Sequence, residues 1–306
     1  MIEKTLSILL PTIGRNLLDK TLSSVLDQDC LPYEIVVWDN SGLGVAQKQS
    51  AYKDHPMIRW CVSDTKLDII NSWNSAVACT TGEYVYILGD DDLLLPGFVS
   101  EVMKELNNGA EAIHVPAQII DSEGNLIEEE KNQLERNTVV PEKEILYEFL
   151  NKKMHIYLGS IVFSRRAYEE IGKFKNIIMN ALLMDVLFHL ELVFYHRKIT
   201  FLASPVWQYR TLVTDWSGSL KKKEEISLLV SQHFALRDYL RKSRYREYPD
   251  ALNLFERLNI ISSLSRATYR FSRLQCILLL FARGIRLKER YYIFRDILYI
   301  FRHKIR

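Results

Sequence analysis

The sequence predicts an α/β protein: a mostly parallel, doubly wound sheet flanked by helices, followed by a basic α-helical C-terminal extension. Three observations carry that reading. Strand-like and helix-like segments alternate through roughly the first third of the chain, a polar cluster follows each of three strand-like runs, and the balance of charge reverses near residue 221. Alternation of β-rich runs with helical periodicity marks βαβ units, whose strands lie parallel.

The elements follow in order. LSILLP (6–11) is a short β-rich run, NLLDKTLSSVLDQD (16–29) sets Leu18, Leu22, Val25 and Leu26 on one side of a helix, and EIVVWD (34–39) is a second strand. LDIINSWNSAVACTTG (67–82) fits a helix ending at Gly82, and YVYILG (84–89) fits a buried strand. PGFVSEVMKEL (96–106) reads as a helix with Pro96 at or near its first turn, where a missing N–H costs nothing, and AEAIHVPAQII (110–120) as a further strand. Residues 181–194, ALLMDVLFHLELVF, form an apolar helical stretch.

Composition and charge bound the function. At 48% hydrophobic and 25% charged, the 306-residue chain is neither disordered nor fibrous. Residues 1–220 carry 20 Lys and Arg against 30 Asp and Glu, and residues 221–306 carry 20 against 8, so an acidic α/β region, 1–220, precedes a basic helical region, 221–306, with KKKEE (221–225) at the boundary. The N-terminus lacks the basic start and long apolar centre of a signal peptide. No window reaches the apolar length of a spanning helix, and the nearest, IIMNALLMDVLFHLELVFY, holds Asp185, His189 and Glu191. Cys30, Cys61, Cys79 and Cys276 form no CxxC pair and read as packing residues of a reduced, cytoplasmic chain. His189 and His196 lie seven apart on one helical stretch, a spacing of packing residues rather than metal ligands. A GxxxxGK phosphate loop, a GxSxG elbow and an HExxH pair are all missing, and Gly42-Leu43-Gly44 is too short for a dinucleotide turn.

Residues 87–97, ILGDDDLLLPG, set Asp90, Asp91 and Asp92 side by side at the end of an apolar run. In a doubly wound sheet, ligands bind beyond the carboxyl ends of the strands. Pro11-Thr12-Ile13-Gly14-Arg15 leaves the first strand there, Asp39-Asn40-Ser41-Gly42 leaves the second, and Gly89 with the three aspartates leaves another, so the three clusters are expected to converge. Crowded carboxylates raise one another's pKa unless a cation or strong donors compensate. A hard divalent ion, Mg2+ or Mn2+, does so with oxygen ligands and often needs only one or two carboxylates beside substrate phosphates. A solvated turn that caps the next helix is the plainer account of an isolated DDD; the preceding strand and the two matching clusters favour a ligand site.

SILLPTIGR, EIVVWDNSG and LDIINSWNSAVACTTGEYVYILGDDDLLLPGFV, in that order, resemble the nucleotide-sugar domain of family 2 glycosyltransferases, inverting enzymes of the GT-A (Rossmann-like) fold, over about residues 5–215. The resemblance implies that Pro11, Thr12, Ile13 and Arg15 contact the nucleotide, that Asp39 and Asn40 read the base, and that Asp68, Asn71 and Asn74 also touch the nucleotide. The family's DxD motif falls on Gly89 and the aspartates, which gives Asp90 to the ribose or sugar and Asp91 or Asp92 to the metal. Two departures stand out: many members have Asp at the place of Gly89, and Arg-Asn at the place of Trp73-Asn74. The second removes a cation from the diphosphate side, a part that falls to Arg15.

Inversion needs a base on the face of the sugar opposite the leaving group, and no covalent intermediate. Asp185 is a lone acid in an apolar helical stretch, where burial raises its pKa, and the family often carries its acidic base in the corresponding place. Glu191 is the reserve, and Trp207, Tyr209, Arg210, Asp215 and Trp216 are suited to lining an acceptor or closing over the diphosphate, and equally to packing.

From Leu264 to Arg306 there are 11 Lys and Arg against Glu289 and Asp296, interleaved with apolar and aromatic residues. That pattern describes interfacial helices attracted to an anionic membrane surface, with a homodimer interface as the alternative and no nucleic-acid module beside the charge. The expectation is an enzyme peripheral to the inner face of the cytoplasmic membrane. It would move a sugar from a nucleotide diphosphate donor, a UDP-sugar by preference, to a saccharide acceptor carried on polyprenyl diphosphate in surface polysaccharide (O-antigen or capsule) synthesis. A nucleotidyltransferase is one rival, though it would need a basic Gly-rich signature near the N-terminus; a non-catalytic saccharide- or membrane-binding protein on the same fold is another, and it would show no metal-dependent nucleotide binding.

Overall fold

Four parallel strands, three of them buried and one at the sheet edge, place the loops that matter. The computed structural model describes residues 4–130, 137–142, 144–145, 156–175 and 184–211, with positions 239 and 242 in isolation. The basic region 221–306, apart from those two positions, and Asp215 and Trp216 lie outside the described residues. Strands β1 (Leu6–Thr12), β2 (Glu34–Asp39), β3 (Ile58–Val62) and β4 (Tyr84–Ile87) run parallel in the order β3-β2-β1-β4. β1 is central among them, so its side chains are covered on both faces and it reads as a continuous apolar run.

Helices bridge these strands. In α1 (Leu18–Leu26) the residues Leu18, Thr21, Leu22 and Val25 form the buried stripe. The short α2 (Val45–Gln49) follows β2, and α3 (Ile69–Cys79) is capped by Asp68, whose carboxylate accepts from Ile70 N at 3.1 Å and Asn71 N at 3.0 Å. α3 stops at Cys79, three residues before the expected Gly82, because Thr80 is already extended. α4 (Phe98–Asn107) starts after Gly97, which takes a left-handed φ of 86°, so Pro96 stands outside the helix rather than in its first turn.

The segment expected to be one strand over 110–120 is two. β6 (Ala112–His114) belongs to the large sheet, and β7 (Ala117–Ile120) belongs to a second sheet that the sequence pattern did not announce. Pro116 lies at the break; it has no N–H to continue a ladder. Beyond β4 the large sheet continues through β10 (Ile161–Ser164), β6, β11 (Lys198–Phe201) and β9 (Thr138–Pro141), with β10 and β9 antiparallel to their neighbours. The second sheet has the order β5-β12-β7-β8, from β5 (Leu93–Leu94), β12 (Trp207–Arg210), β7 and β8 (Leu126–Glu129). β5 follows directly on the aspartates, so this sheet starts at the acidic turn.

One apolar core joins the layers. Fully buried Trp207 packs edge-on to Tyr86, with ring centroids 6.5 Å apart, and donates its indole N–H to Val115 O at 2.9 Å. Trp207 is therefore core, not acceptor lining. α5 (Arg165–Glu170) and α6 (Met184–His196) meet α3 through an aromatic group in which Phe174 lies 5.2 Å from Trp73 and 4.3 Å from Phe188, centroid to centroid. Among the described residues no helix is long and apolar enough to cross a membrane.

The cysteines divide. Cys61 and Cys79 are half-buried free thiols, and burial followed by contact with Cys61 pushes Cys79 up to about 12, so it stays protonated and inert. Cys30 is exposed, so it is not a packing residue, and Cys276 lies outside the described residues. His189 is fully buried on α6, edge-on to His114 with 5.6 Å between centroids, and neither of its ring nitrogens has a hydrogen-bond partner.

Candidate active site

The ends of β1 and β4 deliver the site. Thr12 closes β1, and its hydroxyl donates to Asp90 Oδ2 at 2.6 Å while accepting Gly14 N–H at 2.9 Å. Gly14 turns the chain with a left-handed φ of 88° and brings Arg15 over the aspartates. The Arg15 guanidinium makes a direct ion pair with Asp91 Oδ2 and lies 3.6 Å from Asp90 Oδ1. All three aspartates are buried. Burial lifts the Asp90 carboxyl above the usual carboxylate range, and the Arg15 charge and the Thr12 hydroxyl pull it back.

Asp92 takes another path. Its Oδ1 accepts the Arg210 amide at 2.8 Å, and Arg210 Nε donates to the Asp91 carbonyl at 2.9 Å. The same guanidinium reaches Asp121 O at 3.1 Å and Ser122 O at 3.3 Å, so Arg210 fastens the acidic turn to the β7–β8 connection. Arg210 thus braces the turn from behind, a role the sequence did not suggest. Gly89 belongs to the same packing: a Cβ there would stand 2.6 Å from Asp92 Oδ2 and 3.1 Å from Asp91 Oδ1. With Asp at this place, this arrangement of the three carboxylates could not form.

Strong donors, not a cation alone, therefore compensate the crowded acids. Among the described residues no three His, Cys, Asp or Glu side chains gather so as to hold a metal ion. The donor set still suits Mg2+ or Mn2+ in the substrate-assisted form, since Asp90 and Asp91 already present oxygens to one cationic group. Asp92, the other aspartate expected to face the metal, accepts the Arg210 amide through Oδ1.

The expected nucleotide residues separate into two groups. Thr12, Ile13 and Arg15 meet the acidic turn, with Ile13 exposed, and Pro11 precedes them in β1, paired with Trp38 of β2. The turn after β2 adjoins them: Asn40 N donates to Thr12 O at 2.9 Å. Asp39 is fully buried, its Oδ1 accepting Ser41 N and Ser41 Oγ and its Oδ2 accepting Gln47 N at 2.9 Å. The Asn40 amide is bound at both ends to Leu67, accepting from N at 2.9 Å and donating to O at 3.0 Å, and so pins the loop before α3. Asp68 and Asn71 are exposed at the start of α3 and are hydrogen-bonded to each other. Asn74 faces the other way. Its Nδ2 donates to Phe174 O at 3.0 Å, and its Oδ1 accepts Phe174 N at 3.1 Å and the Tyr168 hydroxyl at 2.6 Å, an interlock that no local sequence signal reveals.

Asp185 is half-buried in the first turn of α6, where it accepts Val186 N at 2.8 Å, and desolvation raises its carboxyl to about 6. Both carboxylate oxygens of Glu191 are held by Lys175 Nζ, at 2.7 and 2.6 Å, which makes it a poor proton acceptor. Tyr209 stacks on Tyr157 with centroids 3.9 Å apart.

Comparison with known proteins gives these positions a context. The family model described as Glycosyl transferase family 2 matches residues 7–172, just over half of the chain. The chain is 30% identical over 172 residues to GalNAc(5)-diNAcBac-PP-undecaprenol beta-1,3-glucosyltransferase of Campylobacter jejuni, a match covering 54% of this chain and 55% of that protein. The chain thus spans about half the length of that relative. It is 25% identical over 236 residues to the uncharacterized glycosyltransferase YwdF of Bacillus subtilis, covering 74% of this chain and 84% of the other. In fold it is similar to S. aureus TarS 1-349 solved with UDP-GlcNAc, with a TM-score of 0.58 at 14% identity over 98% of this chain and 92% of that one.

Proposed function

The chain belongs to glycosyl transferase family 2, and from that premise we propose that it is an inverting, metal-dependent enzyme. It takes a sugar from a UDP-sugar and passes it to a hydroxyl of a lipid-linked saccharide at an anionic membrane surface. The observation that carries the donor reading is the meeting of Thr12, Arg15, Asp90 and Asp91 at the carboxyl ends of β1 and β4, where this sheet architecture binds ligands. A polyprenyl-linked acceptor is supported by the name of the Campylobacter relative, and a UDP-sugar donor by the ligand named in the TarS structure.

The chain's own groups divide the work. Asp91, with Asp90 beside it, would hold Mn2+ or Mg2+, which when bound stabilises the departing nucleoside diphosphate as a Lewis acid. Arg15 supplies a second positive charge on the same side. Asp90 is set by Thr12 to meet the ribose or sugar, and Arg210 holds the turn in shape through Asp92. Asp185 takes the proton from the acceptor hydroxyl; a carboxyl raised to about 6 is ionised at neutral pH and is a stronger base than an ordinary aspartate.

Thermal protection by UDP tests the donor site. Mn2+ should strengthen the protection in the native chain, and Asp91→Asn should abolish the Mn2+ effect. Protection that is indifferent to Mn2+ would remove the metal from the mechanism.

A further inference from the structure

Resting on the metal-dependent reading above, we propose that Arg15 is a stand-in cation: in the donor-free protein its guanidinium holds the seat between Asp90 and Asp91, and it yields that seat when a divalent ion and the diphosphate bind together.

The geometry makes Arg15 the movable member of the group. Side-chain exposure is 37% for Arg15 against 7% for Asp90 and 10% for Asp91. Asp90 is further held by the Thr12 hydroxyl, and the Asp91 backbone is held by Arg210. The acids are the buried members of the group, while the more exposed guanidinium sits at the end of a long side chain that follows Gly14. A guanidinium on these oxygens neutralises them without any ion. A divalent ion sharing the same oxygens would stand within a few ångströms of that guanidinium and be repelled by it.

Competition of this kind has a direct consequence. Displacing Arg15 takes its guanidinium off the two carboxylates, and the diphosphate is the anion at hand. Metal alone therefore binds weakly, metal with diphosphate binds well, and Arg15 transfers from carboxylate to phosphate between the two states. The device makes metal and nucleotide binding positively coupled, and it keeps the acidic turn neutralised between turnovers.

Mn2+ binding to the full chain, read from the electron-spin-resonance signal of free Mn2+, tests this with and without UDP. In the native chain UDP should tighten Mn2+ binding by about tenfold, within the usual range of coupling between sites. In Arg15→Gln, Mn2+ alone should bind about tenfold more tightly than in the native chain, and UDP should add little. Mn2+ affinity in Arg15→Gln that equals or falls below the native value, while Asp91→Asn still loses the ion, overturns the stand-in role and leaves the metal reading intact. Absence of Mn2+ binding even with UDP overturns both. If Arg15→Gln fails to fold, the native chain still decides: the Arg15 Nε–H resonance, identified by its loss in Arg15→Lys, should shift when Mg2+ and UDP are added together, and an unmoved resonance at saturation overturns the proposal.

Discussion

Thr12 donates its hydroxyl to Asp90 across 78 residues of chain, at 2.6 Å, and so locks the end of β1 to the turn after β4. Removing the donor while keeping the shape isolates that bond. Thr12→Val should lower stability by about 1–3 kcal/mol, the cost of leaving a buried carboxylate oxygen without its donor, and should weaken UDP binding. Thr12→Ser should keep both near native values. Denaturant midpoints and UDP titrations check each.

Asp185→Asn separates binding from chemistry. It should leave the UDP-induced thermal shift in place and reduce transfer by at least about a hundredfold, the usual worth of a general base. In the native chain, transfer should fall as pH drops below about 6, where the base becomes protonated. The stability sign is opposite. A carboxyl raised on folding from an ordinary value favours the native state below the unfolded pKa and loses that contribution as pH rises through about 6. Asp185→Asn should therefore be more stable than native at pH 8, by about 1–2 kcal/mol after allowing for partial exposure. Full transfer activity in the variant would remove Asp185 from the role.

His189 is expected to set the acid limit. Burial, reinforced by the neighbouring His114, pushes its pKa well below that of a free imidazole. Its neutral form belongs to the folded state, so stability is full above the unfolded pKa of about 6.5 and declines as pH falls below it. Around it stand His114, Glu130, which lies 3.6 Å from His114 Nε2, and the Phe201 ring stacked on His114. His189→Phe should move the acid-unfolding midpoint to lower pH, as followed by circular dichroism; a midpoint that stays in place would show that other groups set it.

Gly89→Ala should be disproportionately damaging for a single methyl group, because the new Cβ would meet Asp92 Oδ2 at 2.6 Å. Overpacking of this sort costs about 1–3 kcal/mol. Here it would also push Asp92 off the Arg210 amide, so Mn2+-dependent UDP protection should be lost along with stability. Thermal scans with and without both ligands separate the two effects.

Deleting residues 264–306 should release the chain from vesicles containing phosphatidylglycerol while leaving UDP binding unchanged. Co-sedimentation measures it. Equal sedimentation of the truncated and full chains would shift the basic segment's role to self-association, which sedimentation velocity would report.

Much of the site was legible because it depends on strand ends. β1, β2 and β4 announce themselves as apolar runs, and a polar cluster after each has to fall at the same edge of a parallel sheet. What stayed hidden depends on pairing between distant segments. Nothing around Arg210 signals that its amide meets Asp92, 118 residues away. Likewise Asn74 looks like a cleft residue until Phe174 is seen to occupy both ends of its amide. The split at Pro116 was readable in principle, since proline interrupts a ladder, but the β-rich residues on either side concealed that the two halves serve different sheets.

The brace from Arg210 also sets an order of events during synthesis. The first four parallel strands and the acidic turn leave the ribosome more than a hundred residues before β12, so the nascent turn starts without its rear support. Closing so long a loop is entropically costly and slow compared with forming the βαβ units. A truncated product ending before residue 207 would keep the donor-side strands and the Arg15 ion pairs yet leave Asp92 Oδ1 and the Asp91 carbonyl without their Arg210 donors, which makes readiness for donor one of the last properties the chain acquires.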